Sequence, residues 1–289
     1  MDTAKQSQQL EKIYDEKGLK DAEALLEEIL ATYSSQVVVF LLEQSLDAAH
    51  KRNKPDLEGA LLRSLASVYT TQNQPQRALN LYKQALSLMR KTLDRSGEAN
   101  VLRAIGDVQQ FLKDMQAALA SYEQALSLFR QVGDRLGEAN TLNAIGDVQQ
   151  FRDEREAALA SYEQALSLFR QVGDRLGEAN TLNDLENLYS ESGEYAEAEP
   201  FYLHALGIWE QRSGPRYFQV AISLNNLALL YQNQGRYEEA EPLLKRSLSI
   251  YEQQLGTSHP STQTVRENYI ALLHILGHDE EAKALEGES

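Results

Sequence analysis

The sequence contains one long segment twice. Residues 117–143 read AALASYEQALSLFRQVGDRLGEANTLN, and residues 157–183 repeat that string without a change, 40 positions later. The string AIGDVQQF at 104–111 also returns at 144–151, and weaker copies follow the same spacing in both directions. A fixed period of this length is typical of repeat proteins, whose units bury their apolar faces against their neighbours. The core is therefore expected to come from stacked units, so the length of 289 residues does not set a domain count.

Small and aromatic residues mark the phase of the repeat. One copy shows the pattern with Gly106, Ala118, Tyr122 and Ala125. Apolar residues at helical spacing surround both Gly106 and Tyr122, which predicts a pair of antiparallel amphipathic helices, here called the first and second helix of a unit. Two packed helices need small residues where they come closest, so we expect Gly106 to contact Ala118. The Gly106 slot holds Glu186 in a later copy, and we expect that pair to splay locally.

The phase also predicts the extent of the array. We expect an all-α protein with one solenoid of about seven helix pairs over residues 19–285, and from Gly193 onward the spacing lengthens to 42. Residues 1–18 are expected to form an N-terminal cap helix or tail, and residues 286–289 a polar tail. The predicted units are 19–52, which is degenerate, 56–92, 96–132, 136–172, 176–212, 218–254 and 260–285, a truncated cap.

These motifs resemble the tetratricopeptide repeat (TPR). The strings GEANTLNAIGDVQQF and ALASYEQALSLFRQVGDR are similar to the Leu-Gly-Asn class of polarity adaptors. Towards the C-terminus, ISLNNLALLY at 222–231, GRYEEAEP at 235–242 and LGTSHPST at 255–262 resemble kinesin light chain repeats. The resemblance implies a right-handed superhelical α-solenoid of antiparallel helix pairs, whose first helices line a concave groove for a peptide. It also implies that Pro200 and Pro242 lie inside second helices. Independently of the resemblance, Pro75 is expected at the first turn of a helix, where its missing N–H costs nothing.

The polar face of each first helix is the candidate binding surface. An Asn side chain carries both a donor and an acceptor, so it can bind a peptide backbone without requiring a particular sequence. Asn is also a poor helix former, so its recurrence on successive helices favours recognition over a merely solvated surface. Duplicated units share residues by descent, which keeps the second interpretation open. The candidate residues are Asn100, Arg103, Asp107, Gln110, Asn140, Asn143, Asp147, Gln150, Asn180, Asn183, Asn187, Asn225, Asn226, Gln232 and Asn233.

The charge balance restricts the partners. A formal net charge of −15 makes nucleic acid and anionic membranes poor ligands, because both are bound through surplus Lys and Arg. Asp107 and Asp147 add local acidity to the candidate face, which favours a neutral or basic protein segment as ligand. The N-terminus lacks the apolar stretch of a signal peptide and no apolar run is long enough to span a bilayer, so a cytoplasmic location is expected.

Signals for catalysis are absent from the sequence. It contains no cysteine, no phosphate-binding loop motif and no H-E-x-x-H motif, so we expect neither an enzyme nor a cofactor. His274 and His278 have the spacing of metal ligands, but Gly277 is expected to end their helix, and we interpret them as exposed side chains. Phe111 and Phe151 are expected to pack between helices. The leading hypothesis is a protein-binding scaffold; the alternatives are a self-associating homo-oligomer or a regulatory partner of a separate signalling enzyme.

Overall fold

The computed structural model describes residues 3–213 and 218–287, so Glu288 and Ser289 of the expected polar tail lie outside the described residues. Within these ranges the chain forms fifteen α-helices and no strand. None of these helices is both long and apolar enough to cross a membrane. The helices are α1 (Thr3–Lys17), α2 (Leu19–Thr32), α3 (Ser35–Lys51), α4 (Pro55–Thr71), α5 (Pro75–Thr92), α6 (Arg95–Phe111), α7 (Met115–Val132), α8 (Arg135–Phe151), α9 (Arg155–Val172), α10 (Arg175–Glu191), α11 (Tyr195–Ser213), α12 (Phe218–Asn233), α13 (Tyr237–Leu255), α14 (Pro260–Leu276) and α15 (Asp279–Glu286).

Short-range signals set the ends of these helices. The Asp134 carboxylate caps α8 by accepting a hydrogen bond of 2.9 Å from the Gly137 backbone N–H. Proline starts α4 and α5 at a position where its missing N–H is not needed, as the sequence predicted for Pro75. Gly133 ends α7 with a φ of 74°, a left-handed conformation that glycine adopts without steric cost. The predicted internal prolines, Pro200 and Pro242, lie inside α11 and α13.

The chain divides into two compact units between Arg152 and Asp153. In the first unit, α4 packs against α5, α6 against α7, and each of these pairs against the helix that follows it. The core between α6 and α7 contains Ala99, Leu102, Ala125 and Phe129. The small helix-facing alanines therefore alternate with large apolar side chains, as close helix packing requires.

The second unit, from Asp153 onward, has one continuous core. In it α10 packs against α11, α12 against α13, and α14 against α15. Large aromatic side chains of this core include Trp209 and Tyr269, and both are almost fully buried. The shortened α15 contributes Ala282 to the core, so it covers the end of the preceding helix pair. The single solenoid over residues 19–285 stays a prediction.

The structure adds a contact at Gly106 and corrects the expectation at Glu186. A Cβ added at Gly106 would lie 2.5 Å from a ring carbon of Tyr122. The tyrosine ring extends one helical turn beyond Ala118 and fills the space that the glycine leaves. The pair α10–α11 does not splay at Glu186, because Leu182, Leu185 and Tyr202 remain buried around it.

Candidate binding face of the first helices

In the first unit, three candidate residues are brought together on α6. Arg103 Nη1 lies 3.1 Å from a carboxylate oxygen of Asp107, one helical turn away. The hydroxyl of Tyr122, on α7, donates to the other Asp107 oxygen at 2.9 Å, and the hydroxyl oxygen also lies 2.9 Å from Oε1 of Gln110. The Asp107 side chain is still 44% exposed, so the network remains open to solvent on one side. These residues hold α6 to α7 and present polar atoms on the same face.

The tyrosine of this network was not predicted as a site residue. Burial, followed by the charge of Asp107 and the hydrogen bond to it, raises the pKa of Tyr122 far above its usual range. The hydroxyl therefore keeps its proton and donates it to Asp107. The sequence signal for this role is the recurrence of tyrosine in the same slot of four copies, at Tyr82, Tyr122, Tyr162 and Tyr202.

The asparagines nearest the starts of the first helices are partly engaged by their own backbone. Asn100 Nδ2 donates to the carbonyl oxygen of Ser96, and Asn140 Nδ2 to that of Leu136, each at 2.9 Å. Each bond uses one N–H of the amide group, and the amide oxygen of each residue takes no part in it. On α8, the side chains of Asn143, Asp147 and Gln150 are half-buried and each has a polar partner.

The second unit contains a different arrangement. Asn183 on α10 and Asn225 on α12 are 42 positions apart, which is the length of one C-terminal repeat. In each, the amide oxygen is buried and has no hydrogen-bond partner among the described residues. Asn225 donates weakly to Oδ1 of Asn226 at 3.4 Å. Of the other candidates here, Asn226 and Gln232 are half-buried, whereas the most exposed are Asn180, Asn187 and Asn233.

Beneath this face lies Glu186, whose side chain is only 1% exposed. Neither of its carboxyl oxygens has a hydrogen-bond partner among the described residues, and the same is true of the buried Oγ of Ser190. Burial, with a smaller contribution from the charge of Asp184, raises the pKa of Glu186 to about 10. Burial and the charge of Glu186 raise the pKa of Tyr202 to about 12, although nearby Ser190 moderates that shift. Glu186 is therefore uncharged at neutral pH.

Family models identify the repeat that builds these faces. A tetratricopeptide-repeat model matches residues 97–171 and 151–211, a second matches 220–261, and a third matches 61–96. Together the matched segments cover more than half of the chain. The chain belongs to the tetratricopeptide-repeat family. Repeats of this family are in general non-enzymatic modules for protein interaction.

Solved structures share the TPR fold. BtubC (BKLC) from P. vanneervenii has a TM-score of 0.69 at 21% identity, with 79% of this chain and 94% of that chain covered. The TPR-like repeats of a kinesin light chain from Podosopora anserina give 0.56 at 18% identity, covering 67% and 95%. A Rap protein complexed with Competence and Sporulation Factor gives 0.59 at 16%, covering 99% and 96%. No curated protein matches the sequence significantly. The resemblance to kinesin light chain repeats is confirmed, whereas that to the Leu-Gly-Asn class stays a prediction.

Two phenylalanines at the ends of first helices are more exposed than expected. Phe111 is 61% exposed and Phe151 is 59% exposed, so the prediction that they pack between helices is wrong. Both are the last residue of a first helix, where the chain turns away from the core. Lys113 Nζ lies over the Phe151 ring, 5.3 Å from its centroid.

The two histidines with metal-ligand spacing contact different acidic residues. His274 Nδ1 lies 2.9 Å from Asp279, and His278 Nδ1 lies 3.3 Å from Glu241. Among the described residues no cluster of His, Asp and Glu could hold a metal ion.

Proposed function

We propose that this TPR protein is a cytoplasmic adaptor that binds a peptide or helix of a partner protein along the polar face of its first helices. One observation carries the proposal: Asn183 and Asn225, in equivalent slots of successive first helices, each hold a buried amide oxygen without a donor. A buried acceptor left unpaired costs about 1–3 kcal/mol, and a backbone N–H of a guest chain would remove that cost.

Several weak backbone contacts would be enough to bind a guest. Each hydrogen bond to a guest backbone contributes about 0.5–1.5 kcal/mol net, so a short series of them supports affinity in the micromolar range. A solved structure of similar fold, the Rap protein, contains Competence and Sporulation Factor as its bound partner. That similarity concerns the fold, and it supports a binding role for the face.

Charge favours a neutral or basic guest. The protein carries a net charge of −15, and Arg103 on the candidate face is already paired with Asp107. Arg63, the corresponding residue of α4, is paired with Glu23 at 2.8 Å. Because these two guanidinium groups are neutralised internally, an acidic guest gains little from them, and nucleic acid is disfavoured for the same reason.

The test is a capture experiment with paired variants. Protein immobilised as bait is incubated with lysate of the source cells, and bound proteins are quantified by mass spectrometry. The double variant Asn183→Ala/Asn225→Ala removes both unpaired oxygens. Its control is Gln171→Ala/Gln253→Ala, which removes exposed amides from second helices, where they donate hydrogen bonds to Ser167 and Ser249.

We expect the control to retain the partners that the unmodified protein binds and the Asn double variant to lose them. Circular dichroism of both variants checks that the helices persist. Equal recovery of all partners by the two double variants would contradict the proposal, because it would place the binding surface elsewhere.

A further inference from the structure

Glu186 occupies a slot that is small in the other copies. The equivalent residues, at spacings of 40 and 42, are Ala66, Gly106, Gly146 and Ala228. We propose that Glu186 is the counter-ion for a basic side chain of the guest, so that α10 carries a subsite for an ammonium or guanidinium group. This inference rests on the proposed function and adds the chemistry of one guest residue to it.

The polar atoms around Glu186 share one property. Asn183, Glu186 and Ser190 follow each other at i, i+3 and i+7, so their side chains lie on one face of α10. The unpaired buried atoms are an amide oxygen, two carboxyl oxygens and a hydroxyl oxygen. All four atoms accept hydrogen bonds, and once the carboxyl is ionised the hydroxyl oxygen is the one atom of the four that can also donate. A ligand with several N–H donors and a positive charge matches this set.

No cation of the described residues takes that role. The charge that acts on Glu186 is that of Asp184, and the charge that acts on the neighbouring Tyr202 is that of Glu186. Both are acidic. From α9 the core receives Ala158 and Leu166, and from α12 Val220 and Leu224, which are all apolar. Glu186 therefore stays protonated because no cation lies beside it. Burying this polar group destabilises the fold, whereas Gly or Ala in the same slot of other copies does not.

Arrival of a guest cation changes this balance. The carboxyl of Glu186 gives its proton to the solvent, and the resulting carboxylate accepts charge-assisted hydrogen bonds from the guest ammonium or guanidinium. One proton is released for each guest bound, and no other bond is made or broken. Because Glu186 is only 1% exposed, its side chain has to change rotamer to meet the guest cation beside the exposed Asn187.

The probe is a pair of peptide pools. Both contain short random segments of Ala, Gly, Ser and Leu around one fixed central residue, which is Lys in one pool and norleucine in the other. Norleucine has nearly the same apolar chain and lacks the amine. Retention of each pool on immobilised protein is measured for the unmodified chain, for Glu186→Ala, for Glu186→Gln, and for Glu197→Ala as a control that makes the same substitution at an exposed position.

We expect the unmodified protein and Glu197→Ala to retain the Lys pool about tenfold better than the norleucine pool. This preference should vanish in both Glu186 variants. Calorimetry of a selected Lys peptide near pH 8, in two buffers of different ionisation enthalpy, should show the release of about one proton, and none with Glu186→Gln. Glu186→Ala has the residue of the Ala228 slot, so loss of folding is not expected.

The two proposals fail in different ways. Equal retention of both pools by the unmodified protein, at any level, overturns the cation subsite, as does a Lys preference that survives in Glu186→Ala. If the Asn183→Ala/Asn225→Ala variant retains both pools as the unmodified protein does, the proposed function fails. If that variant loses both pools while Glu186→Ala changes nothing, the binding face stands without this subsite.

Discussion

Two buried glutamates have opposite electrostatic surroundings. Glu138, at 5% exposure, lies 2.8 Å from Arg130 Nε and 2.9 Å from Arg135 Nη1. Burial opposes its ionisation, but the hydrogen bonds and charges of these two arginines outweigh burial and hold the pKa of Glu138 below its ordinary value. Glu186 has no such cation, and burial raises its pKa to about 10. One carboxyl is therefore ionised and joins two helices, while the other is neutral and weakens its helix pair.

Replacing Glu138 tests the first of these carboxyls. Glu138→Gln should lower the free energy of unfolding by about 1–3 kcal/mol at neutral pH, because the hydrogen bonds to both arginines lose their charge. Since the folded-state pKa is lowered, this contribution is present above the unfolded-state pKa and is lost as the pH falls through the folded-state value. Urea midpoints measured at pH 7 and in acid should therefore converge for the variant and the parent. A difference that is the same at both pH values would contradict the assignment.

Replacing Glu186 should have the opposite effect. Its folded-state pKa lies above the unfolded-state value of about 4.3, so the folded state loses stability as the pH rises from there towards 10. Glu186→Ala should stabilise the protein by up to about 3 kcal/mol at neutral pH, and by less near pH 5. The check is the urea midpoint of both proteins at the two pH values. A variant no more stable than the parent at neutral pH would show that Glu186 has a partner in solution.

At the scale of the helices, hydroxyl groups of second helices bind the polar face of first helices. The Tyr122 hydroxyl donates to Asp107 of α6 and lies 2.9 Å from Oε1 of Gln110, and the tyrosine ring covers Gly106. This contact explains why a glycine is tolerated in the middle of a helix, where it costs about 1 kcal/mol relative to alanine. The ring needs the space that a Cβ would take.

A double-mutant cycle measures this contact between α6 and α7. Tyr122→Phe should cost about 1 kcal/mol, and Asp107→Asn a similar amount, while the double variant should cost less than their sum. The coupling energy follows from the urea midpoints of the four proteins. Additive effects would mean that the hydroxyl and the carboxylate do not interact in solution.

The sequence predicted the elements better than their side-chain contacts. Periodicity and proline placed the helix start at Pro75, and the alanine slots, such as Ala118 and Ala125, are fully buried. The pattern could not show that Tyr122 reaches Gly106, because periodicity gives the face of a residue and not the length over which its side chain extends. It also misplaced Phe111, which ends its helix at a point where the neighbouring turn leaves it exposed.

For the candidate site, the sequence could identify the asparagines but not their hydrogen-bond partners. Asn183 and Asn143 come from an exact duplication and are indistinguishable in the sequence, yet Asn143 has a polar partner and the amide oxygen of Asn183 has none. The chain differs just after the two copies, since Glu186 stands three residues after Asn183 where the other copy has Gly146.

At the scale of the whole molecule, the strongly acidic charge should influence how a basic guest arrives. A net charge of −15 attracts cationic segments over a distance that salt shortens to about 10 Å at 0.1 M. The association rate of a Lys-containing peptide should therefore fall as salt is raised, while its dissociation rate changes little. Stopped-flow fluorescence with a labelled peptide measures both rates. An association rate independent of salt would show that the overall charge serves solubility alone.

The central claim is that a guest chain lies along the polar face of the first helices, and site-specific photo-crosslinking tests it most directly. A benzophenone amino acid replaces Asn187, exposed on α10, or Glu163, exposed on α9, and each variant is irradiated in cell lysate. Mass spectrometry then identifies the attached proteins. The account predicts partner adducts from position 187 that are absent at position 163; adducts from position 163 with none from 187 would contradict it.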